Sequence, residues 1–197
     1  MLKLSNNDEK KEFIAKAATV VFSDKGYMNA SMQDVARKAG LSKPGLYHYF
    51  KSKEEILAHI LIKNSDIFLE KLQETIKKNK KAGLSQRESF RRLVQAYAAY
   101  VNSDRHRRLI VLRERHQLSS QYSDQLLKRE KAMFVLVRSQ LSYLTDIDKT
   151  ANKNVITFLL IAMSHWLGYW VKDNKRLSLE EIIDENIKII FNGIMKR

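Results

Sequence analysis

The stretch Ser31–Leu57 reads SMQDVARKAGLSKPGLYHYFKSKEEIL, two short apolar segments separated by Ala39-Gly40-Leu41. Ser42 is a residue type that caps helices, and a proline two positions later suits a first helical turn. Leu41 and Leu46 flank this start as a hydrophobic staple would. The stretch therefore predicts two short helices joined by a tight turn, at about 32–38 and about 43–50.

The second of these helices has two distinct faces. At 100° per residue, its large apolar side chains share the side that should pack on neighbouring helices: Leu46, Tyr49 and Phe50. Lys43 and Tyr47 share another side, with His48 beside them. Free N–H groups at a helix start attract phosphate, and Gly45 in the first turn leaves room for one. The alternative is a solvated helix face, but the turn and the staple together favour a helix-turn-helix that reads the major groove.

Composition excludes several classes of protein. The chain has 197 residues, 44% hydrophobic and 29% charged, which is typical of a globular protein. It contains no cysteine, so disulfides, thiolate zinc sites and cysteine nucleophiles are excluded. Gly-rich phosphate loops, Gly-x-Ser-x-Gly and His-Glu-x-x-His are absent and the histidines are scattered, so we expect no enzyme, no catalytic or metal-binding residues and no cofactor. The first residues, MLKLSNNDEKKEF, lack a signal-peptide core, and we expect a cytoplasmic protein that does not enter the membrane.

The charge points to a polyanionic partner without locating its site. The formal net charge is +14, of which residues 1–55 carry +3 and residues 56–197 carry +11. Most of the excess therefore lies outside the opening stretch. A basic protein that coats DNA without sequence preference remains an alternative on this observation.

Helical periodicity continues along the whole chain and predicts an all-α fold. We expect about nine helices, at about 8–25, 32–38, 43–50, 53–80, 86–102, 105–117, 120–143, 149–172 and 179–195. Gly26 and Gly83 are placed to end two of them. Ser-x-x-acid capping boxes begin four others: Ser31/Asp34, Ser52/Glu55, Ser85/Glu88 and Ser178/Glu181. This division separates a compact three-helix head over 1–55 from a larger helical body over 56–197.

The opening stretch, with Phe22-Ser23-Asp24-Lys25-Gly26-Tyr27 before it, resembles the DNA-binding domain of TetR-family transcriptional regulators. The residues that carry the resemblance are Ala36, Ala39-Gly40-Leu41-Ser42-Lys43, Leu46-Tyr47-His48-Tyr49-Phe50 and Lys53-Glu54. The resemblance implies a ligand-responsive repressor that forms an α-helical homodimer. The two heads, residues 1–55 of each chain, would be helix-turn-helix DNA-binding domains that bind the half-sites of a palindromic operator in double-stranded DNA. The body, residues 56–197, would be the ligand-binding and dimerisation domain.

Site residues follow from the resemblance position by position. Phosphate contacts are implied for Ser31, Tyr47, His48 and Lys53. Positions in or at the major groove are implied for Ser42, Lys43 and Gly45, and a backbone or base contact for Gln33. Pro44 stands where the family often has a small residue, and it removes one N–H donor. Lys43 is the one residue of this helix able to donate to both guanine acceptors.

The body resembles a TetR subgroup that includes repressors of fatty-acid and sterol-side-chain degradation, which sense acyl-CoA thioesters. The shared features are an Arg-rich sixth helix, a Trp-x-x-x-Trp pair and a last helix that starts Leu-Ser-Leu-Glu-Glu. The implied ligand contacts are Tyr97, Arg105, Arg108, Arg113, His116, Met163, Trp166, Tyr169 and Trp170. Arginine forks suit the phosphates of coenzyme A and aromatic side chains suit an acyl tunnel.

Other interpretations of the body remain open. Trp residues at this spacing are more often core or dimer-interface residues. Arginines in such a segment more often form a solvated or ion-paired face, and a histidine such as His165 is more often a hydrogen-bonded core residue than a ligand contact. A TetR-type regulator of a different apolar ligand is the alternative function. Wide apolar stripes on the last two helices predict burial against a second subunit as well as against the body. Ligand in the body would then tilt the fourth helix and lower DNA affinity by a population shift.

Overall fold

The computed structural model describes residues 6–148, 150–170 and 178–194. Within these ranges it contains nine α-helices and one short 3₁₀ turn, so the predicted all-α fold is confirmed. The helices are α1 (Asn6–Lys25), α2 (Met32–Lys38), α3 (Lys43–Tyr49), α4 (Lys53–Lys81), α5 (Gln86–Asn102), α6 (Arg105–Arg113), α7 (Ser120–Ser142), α8 (Lys153–Trp170) and α9 (Leu179–Ile194). None of the helices described is both long and apolar enough to cross a membrane.

The chain forms two compact units. Unit 1 comprises Met1–Ser65 with Arg105–Leu127, and unit 2 comprises Asp66–Asp104 with Lys128–Arg197. Helices α4 and α7 contribute residues to both units. The functional division at residues 55 and 56 stays a prediction.

Unit 1 has its core where α1 packs on α2, α3 and α6. Ile14, Ala18 and Phe22 lie on the buried side of α1, as its periodicity predicts. Leu46 and Phe50 of the α3 region are buried against them, at 0% and 1% exposure. The predicted inner face of the second short helix is thereby confirmed at Leu46 and Phe50, whereas Tyr49 is only partly buried against the same core.

The turn between α2 and α3 is a Schellman motif. The Leu41 N–H donates to the Ala36 carbonyl at 2.9 Å and the Gly40 N–H to the Arg37 carbonyl at 3.2 Å. Gly40 has φ +64°, a conformation in which a side chain would be strained. The glycine therefore sets the angle at which the chain enters α3.

The four predicted capping boxes are only partly formed. Both reciprocal bonds are present at Ser31/Asp34 and at Ser178/Glu181. At Ser52 and Ser85 the hydroxyl accepts the expected N–H, but the acid three residues later does not accept the serine N–H in return. Glu55 accepts the Lys51 N–H and Glu88 pairs with Arg91 and Arg92. Competing donors nearby explain both differences.

Two helices differ from their predicted ends. α6 stops at Arg113 and a 3₁₀ turn, Arg115–Gln117, follows where one continuous helix was expected. α8 begins at Lys153 because the Asn152 side chain accepts the N–H groups of Asn154 and Val155, so the helix starts later than predicted.

Unit 2 is built on α5, which packs against α8 and α9. Phe68 of α4 stacks on Tyr100 with ring centroids 4.4 Å apart. Asp184 of α9 ties the helices together, because its carboxylate accepts hydrogen bonds from Arg91 (2.7 Å) and Gln95. The inner stripe of α9 is buried: Ile183, Ile187 and Phe191.

Unlike the buried stripe of α9, one side of α8 carries large apolar side chains that are exposed. Val155, Phe158, Leu159 and Trp166 are exposed by 52%, 64%, 49% and 61%. Their spacing places them along one side of the helix. We call these four residues the α8 outer face.

Candidate nucleic-acid interface

The first turn of α3 explains Pro44 and Gly45 together. Ser42 is the N-cap, and its hydroxyl accepts the Gly45 N–H at 3.1 Å. Pro44 then stands in the first turn, where its missing N–H has no helical partner to lose. A Cβ on Gly45 would lie 3.1 Å from the Ser42 hydroxyl oxygen. The glycine thus leaves room for the cap, while the Lys43 N–H stays at the helix start.

The outer side of α3 carries the predicted polar groups. Lys43 and His48 are exposed and Tyr47 is 37% exposed. The ring of His48 packs edge-on against Tyr49, with centroids 5.0 Å apart. Because Leu46 and Phe50 fix the inner side, the outer side of α3 is held rigidly toward solvent.

Ser31 and Asp34 form a dense polar group at the start of α2. The Ser31 hydroxyl donates to the Asp34 carboxylate at 2.6 Å and accepts the Asp34 N–H at 3.1 Å. Lys25 and Arg37 also bind that carboxylate, at 2.7 Å and 2.6 Å. Hydrogen bonds from Lys25 and Ser31 hold the pKa of the Asp34 carboxyl well below its usual range. A phosphate contact by Ser31 would have to replace its bond to Asp34, whereas Gln33 beside it is exposed.

Lys53 has a role that the sequence did not predict. Its ammonium donates to the carbonyls of Tyr27 (2.6 Å), Met28 (3.2 Å) and Ala30 (2.8 Å) and lies 4.5 Å from the centroid of the Tyr27 ring. An ammonium has three donors, and these bonds use all of them. Lys53 thereby holds the loop between α1 and α2, and the predicted phosphate contact would have to replace one of these bonds.

Segment 114–119 adds two further bonds within unit 1. Glu114 accepts the Tyr27 N–H at 3.4 Å, and Glu54 accepts the Ser119 N–H at 2.7 Å. Bonding to Ser119 lowers the pKa of Glu54. Sequence reasoning missed these contacts because their partners are far apart along the chain.

A polar cleft lies beside α3 and was also missed. Its walls are Asn7, Lys11, His48, Tyr49, Lys51 and Glu55. We call it the α1–α3 cleft. The one sequence signal for it is a cation, Lys51, directly after the outer face of α3.

Among the predicted ligand contacts, Tyr97 and Met163 lie inside unit 2. The Tyr97 hydroxyl oxygen is 3.3 Å from His165 Nε2, and Tyr97 is 5% exposed. Burial raises the pKa of Tyr97, with the Glu130 charge adding to it, and burial lowers the pKa of His165. Ser164, which is 3% exposed, is a further polar residue in this interior.

Two small cavities adjoin this pair. One is lined by Tyr97 among other residues, the second by Met163, and both share Val94, Leu160 and Ser164. Each measures about 10 Å³, room for about one water molecule. An acyl chain would therefore require the side chains around these cavities to move apart.

The remaining predicted ligand residues lie elsewhere or are only partly described. Arg113 and His116 are exposed residues of unit 1, and Trp166 belongs to the α8 outer face. The structure describes the backbone but not the side chains of Arg105, Arg108, Tyr169 and Trp170. Over the described ranges, no group of His, Asp and Glu side chains is arranged to hold a metal ion.

Family comparisons match both parts of the chain. Residues 14–60 match the family described as bacterial regulatory proteins, tetR family. Residues 83–194 match a C-terminal domain described as tetracyclin repressor-like.

Individual relatives are similar over nearly the whole chain. The HTH-type transcriptional activator FasR of Mycolicibacterium smegmatis is 21% identical over 187 residues, 95% of this chain and 84% of FasR. The structure of AibR in complex with isovaleryl coenzyme A and operator DNA has a TM-score of 0.79 at 23% identity, covering 92% of this chain and 98% of AibR. FadR from Bacillus subtilis in complex with stearoyl-CoA has a TM-score of 0.76 at 18% identity, covering 93% and 98%. At these identities the likeness shows the fold.

Proposed function

Since the chain belongs to the TetR family of bacterial regulatory proteins, we propose that it binds a palindromic DNA operator as a homodimer and is released by a small-molecule effector. The observation that carries this proposal is the outer side of α3. Lys43, Tyr47 and His48 are exposed on a short helix that is anchored by buried Leu46 and Phe50. A rigid polar face of this kind suits the major groove.

The roles of the α3 residues follow from their chemistry. The Lys43 ammonium donates to guanine acceptors, and the Tyr47 hydroxyl and the His48 ring donate to phosphates. Ser42 and Gly45 set the start of α3, and Gln33 lies within reach of the backbone or a base edge. Ser31 can also contact a phosphate if its hydroxyl donates to the phosphate instead of to the Asp34 carboxylate. Lys53 positions the loop that precedes α2.

Substitution of Lys43 and Tyr47 tests the assignment of α3. Lys43→Ala should cost about 1–3 kcal/mol of discrimination per half-site, because a base contact is lost. Tyr47→Ala should weaken binding to operator and to unrelated DNA alike, because a phosphate contact is lost. Gel-shift titrations at fixed salt measure both effects. Lys77→Ala removes an exposed cation from α4 in unit 2 and is the matched control. Unchanged operator affinity in both α3 variants would show that another element reads the DNA.

The second copy of the chain covers the α8 outer face in this proposal. Four large apolar side chains on one side of a helix form a patch that monomeric proteins seldom leave exposed. An isologous contact through α8 buries the patch of both copies at once. Two-fold symmetry then matches that of a palindromic operator.

We propose repression as the mode of regulation, since a dimer seated on an operator blocks access to the promoter. FasR, the relative above, is named an activator. A reporter gene placed behind the operator distinguishes the two modes: repression predicts higher expression when the regulator gene is deleted, and activation predicts lower expression.

The effector that we propose is an acyl-CoA. Support comes from AibR and FadR, solved in complex with isovaleryl coenzyme A and stearoyl-CoA. In this chain the Tyr97–His165 pair would offer a hydrogen bond to a thioester carbonyl inside unit 2. Met163 borders the adjoining cavity. The phosphate contacts that the sequence implies for Arg105, Arg108, Arg113 and His116 stay predictions.

Calorimetry with a series of acyl-CoAs tests the effector. We expect at least one chain length to bind with a Kd below roughly 100 µM and to lower operator affinity. Tyr97→Phe removes the hydroxyl and keeps the ring, and should weaken that acyl-CoA by about 0.5–1.5 kcal/mol. Free coenzyme A is the control ligand. If no acyl-CoA binds below that limit, the effector is a different apolar compound.

A further inference from the structure

The α1–α3 cleft brings together groups from two separate segments of the chain. Asn7 and Lys11 stand one helical turn apart on α1, and the opposite wall comes from the end of α3 and the start of α4. His48 belongs both to this wall and to the exposed outer side of α3. The cleft is therefore continuous with the proposed DNA-reading face.

The polar groups of the cleft favour an anion. Lys51 donates one hydrogen bond, to the Tyr47 carbonyl at 3.0 Å, which leaves two of its three ammonium donors for a ligand. The Lys11 ammonium lies 5.5 Å from the centroid of the Phe50 ring. Across the described ranges, neither ammonium is paired with a carboxylate in the structure.

Among the described residues that line the cleft, Glu55 is the one acid. Its carboxylate accepts the Lys51 N–H at 2.6 Å, so one of its oxygens is already occupied by a backbone donor. Two lysines and one glutamate give the cleft a formal charge of +1 while His48 is neutral. The charge of the cleft therefore matches one singly charged anion. The acid beside that anion, Glu55, is already hydrogen-bonded to a backbone N–H.

From this geometry we infer that the α1–α3 cleft holds a phosphodiester group of the DNA backbone, bound by Lys11, Lys51 and the Asn7 amide. This inference rests on the proposed function, since His48 and Tyr47 bring the DNA backbone to the mouth of the cleft. The contact takes the place of the one expected from Lys53, whose donors are used within the protein. A phosphate here fixes the position of α3 in the groove without reading sequence.

Salt-dependent DNA binding by Lys11→Ala/Lys51→Ala tests the inference. The probes are a duplex selected by wild-type protein from a random pool and a scrambled duplex of the same length. One phosphate lost from each of two heads should reduce the slope of log K against log[salt] by about 1.8. Affinity for both duplexes should fall by the same factor.

Two further variants serve as controls. Lys11→Ala alone removes no hydrogen bond seen in the structure and should give part of the same reduction in a normally folded protein. Lys16→Ala removes an exposed cation from another side of α1 and should leave the slope unchanged. Thermal unfolding of each variant verifies the fold.

Three results would overturn the inference. An unchanged slope in the double variant would mean that the cleft holds no phosphate. An equal reduction in Lys16→Ala would indicate a general charge effect. A loss on the selected duplex alone would place the lysines on bases. Failure of the proposed function would be seen separately, as wild-type protein that binds both duplexes equally.

Discussion

Lys53 shows how one side chain can fix the loop that leads into the predicted helix-turn-helix. Its ammonium donates to three carbonyls of the loop between α1 and α2, those of Tyr27, Met28 and Ala30, and its charge faces the Tyr27 ring. The loop ends at Ser31, the N-cap of α2, so Lys53 sets where α2 begins. In the structure Lys53 bonds to its own chain, although a lysine just after the predicted recognition helix first suggests a contact with a DNA phosphate.

Substitution of Lys53 should therefore affect stability rather than salt dependence. Lys53→Met keeps the length of the stem and removes the ammonium, so the carbonyls lose a charged donor. We expect the free energy of unfolding to fall by about 1–3 kcal/mol in urea denaturation. The salt slope of DNA binding should match that of wild type. Lys16→Met, on an exposed part of α1, is the control. Wild-type stability with a reduced slope would mean that Lys53 binds phosphate after all.

Local rules were sufficient at the start of α3 and insufficient around it. The cap at Ser42 and the staple of Leu41 and Leu46 depend on neighbours in sequence, so they were predictable. The role of Lys53 and the α1–α3 cleft depend on partners in α1 and its following loop. No spacing rule within α3 and α4 contains that information.

At the scale of elements, periodicity identified the apolar stripes of the last two helices but not what covers each. On α9, Ile183, Ile187 and Phe191 turn into unit 2. On α8, Phe158 and Leu159 remain exposed because α5 packs on the opposite side of that helix. Both stripes consist of large apolar residues at helical spacing, so only the packing separates core from surface.

A charge placed on the α8 outer face should break the dimer. Phe158→Glu would bury an unpaired carboxylate in each copy, at a cost of about 3–5 kcal/mol per copy. We expect monomers at micromolar concentration in light scattering after size-exclusion chromatography, with helical content unchanged. Operator affinity should fall as well, because the two DNA-binding heads are no longer linked in one molecule.

Tyr143→Glu is the matched control for that experiment. Tyr143 is an aromatic residue with 61% exposure outside the α8 outer face, and its substitution should leave the dimer intact. A Phe158→Glu protein that stays dimeric would move the interface away from α8.

At the scale of the whole molecule, the chain combines two units with separate cores. Unit 1 contains the residues expected to read DNA, and unit 2 contains the buried Tyr97–His165 pair. The family and the all-α fold were accessible from sequence because the helix-turn-helix motif is local and specific. The effector was not, because the cavities proposed to receive it depend on how side chains from α5, α8 and α9 fill the interior of unit 2.

The central claim is that α3 of a dimer reads a palindromic operator. Selection of binding duplexes from a random pool, followed by competition between the selected and a scrambled duplex at fixed salt, tests it most directly. We predict a palindrome with half-sites one helical turn apart, about 34–36 Å, or a multiple of it. Affinity should exceed that for the scrambled duplex by about 10³-fold or more, and Lys43→Ala should reduce this ratio. Equal affinity for both duplexes, or a ratio that Lys43→Ala leaves unchanged, would contradict the claim.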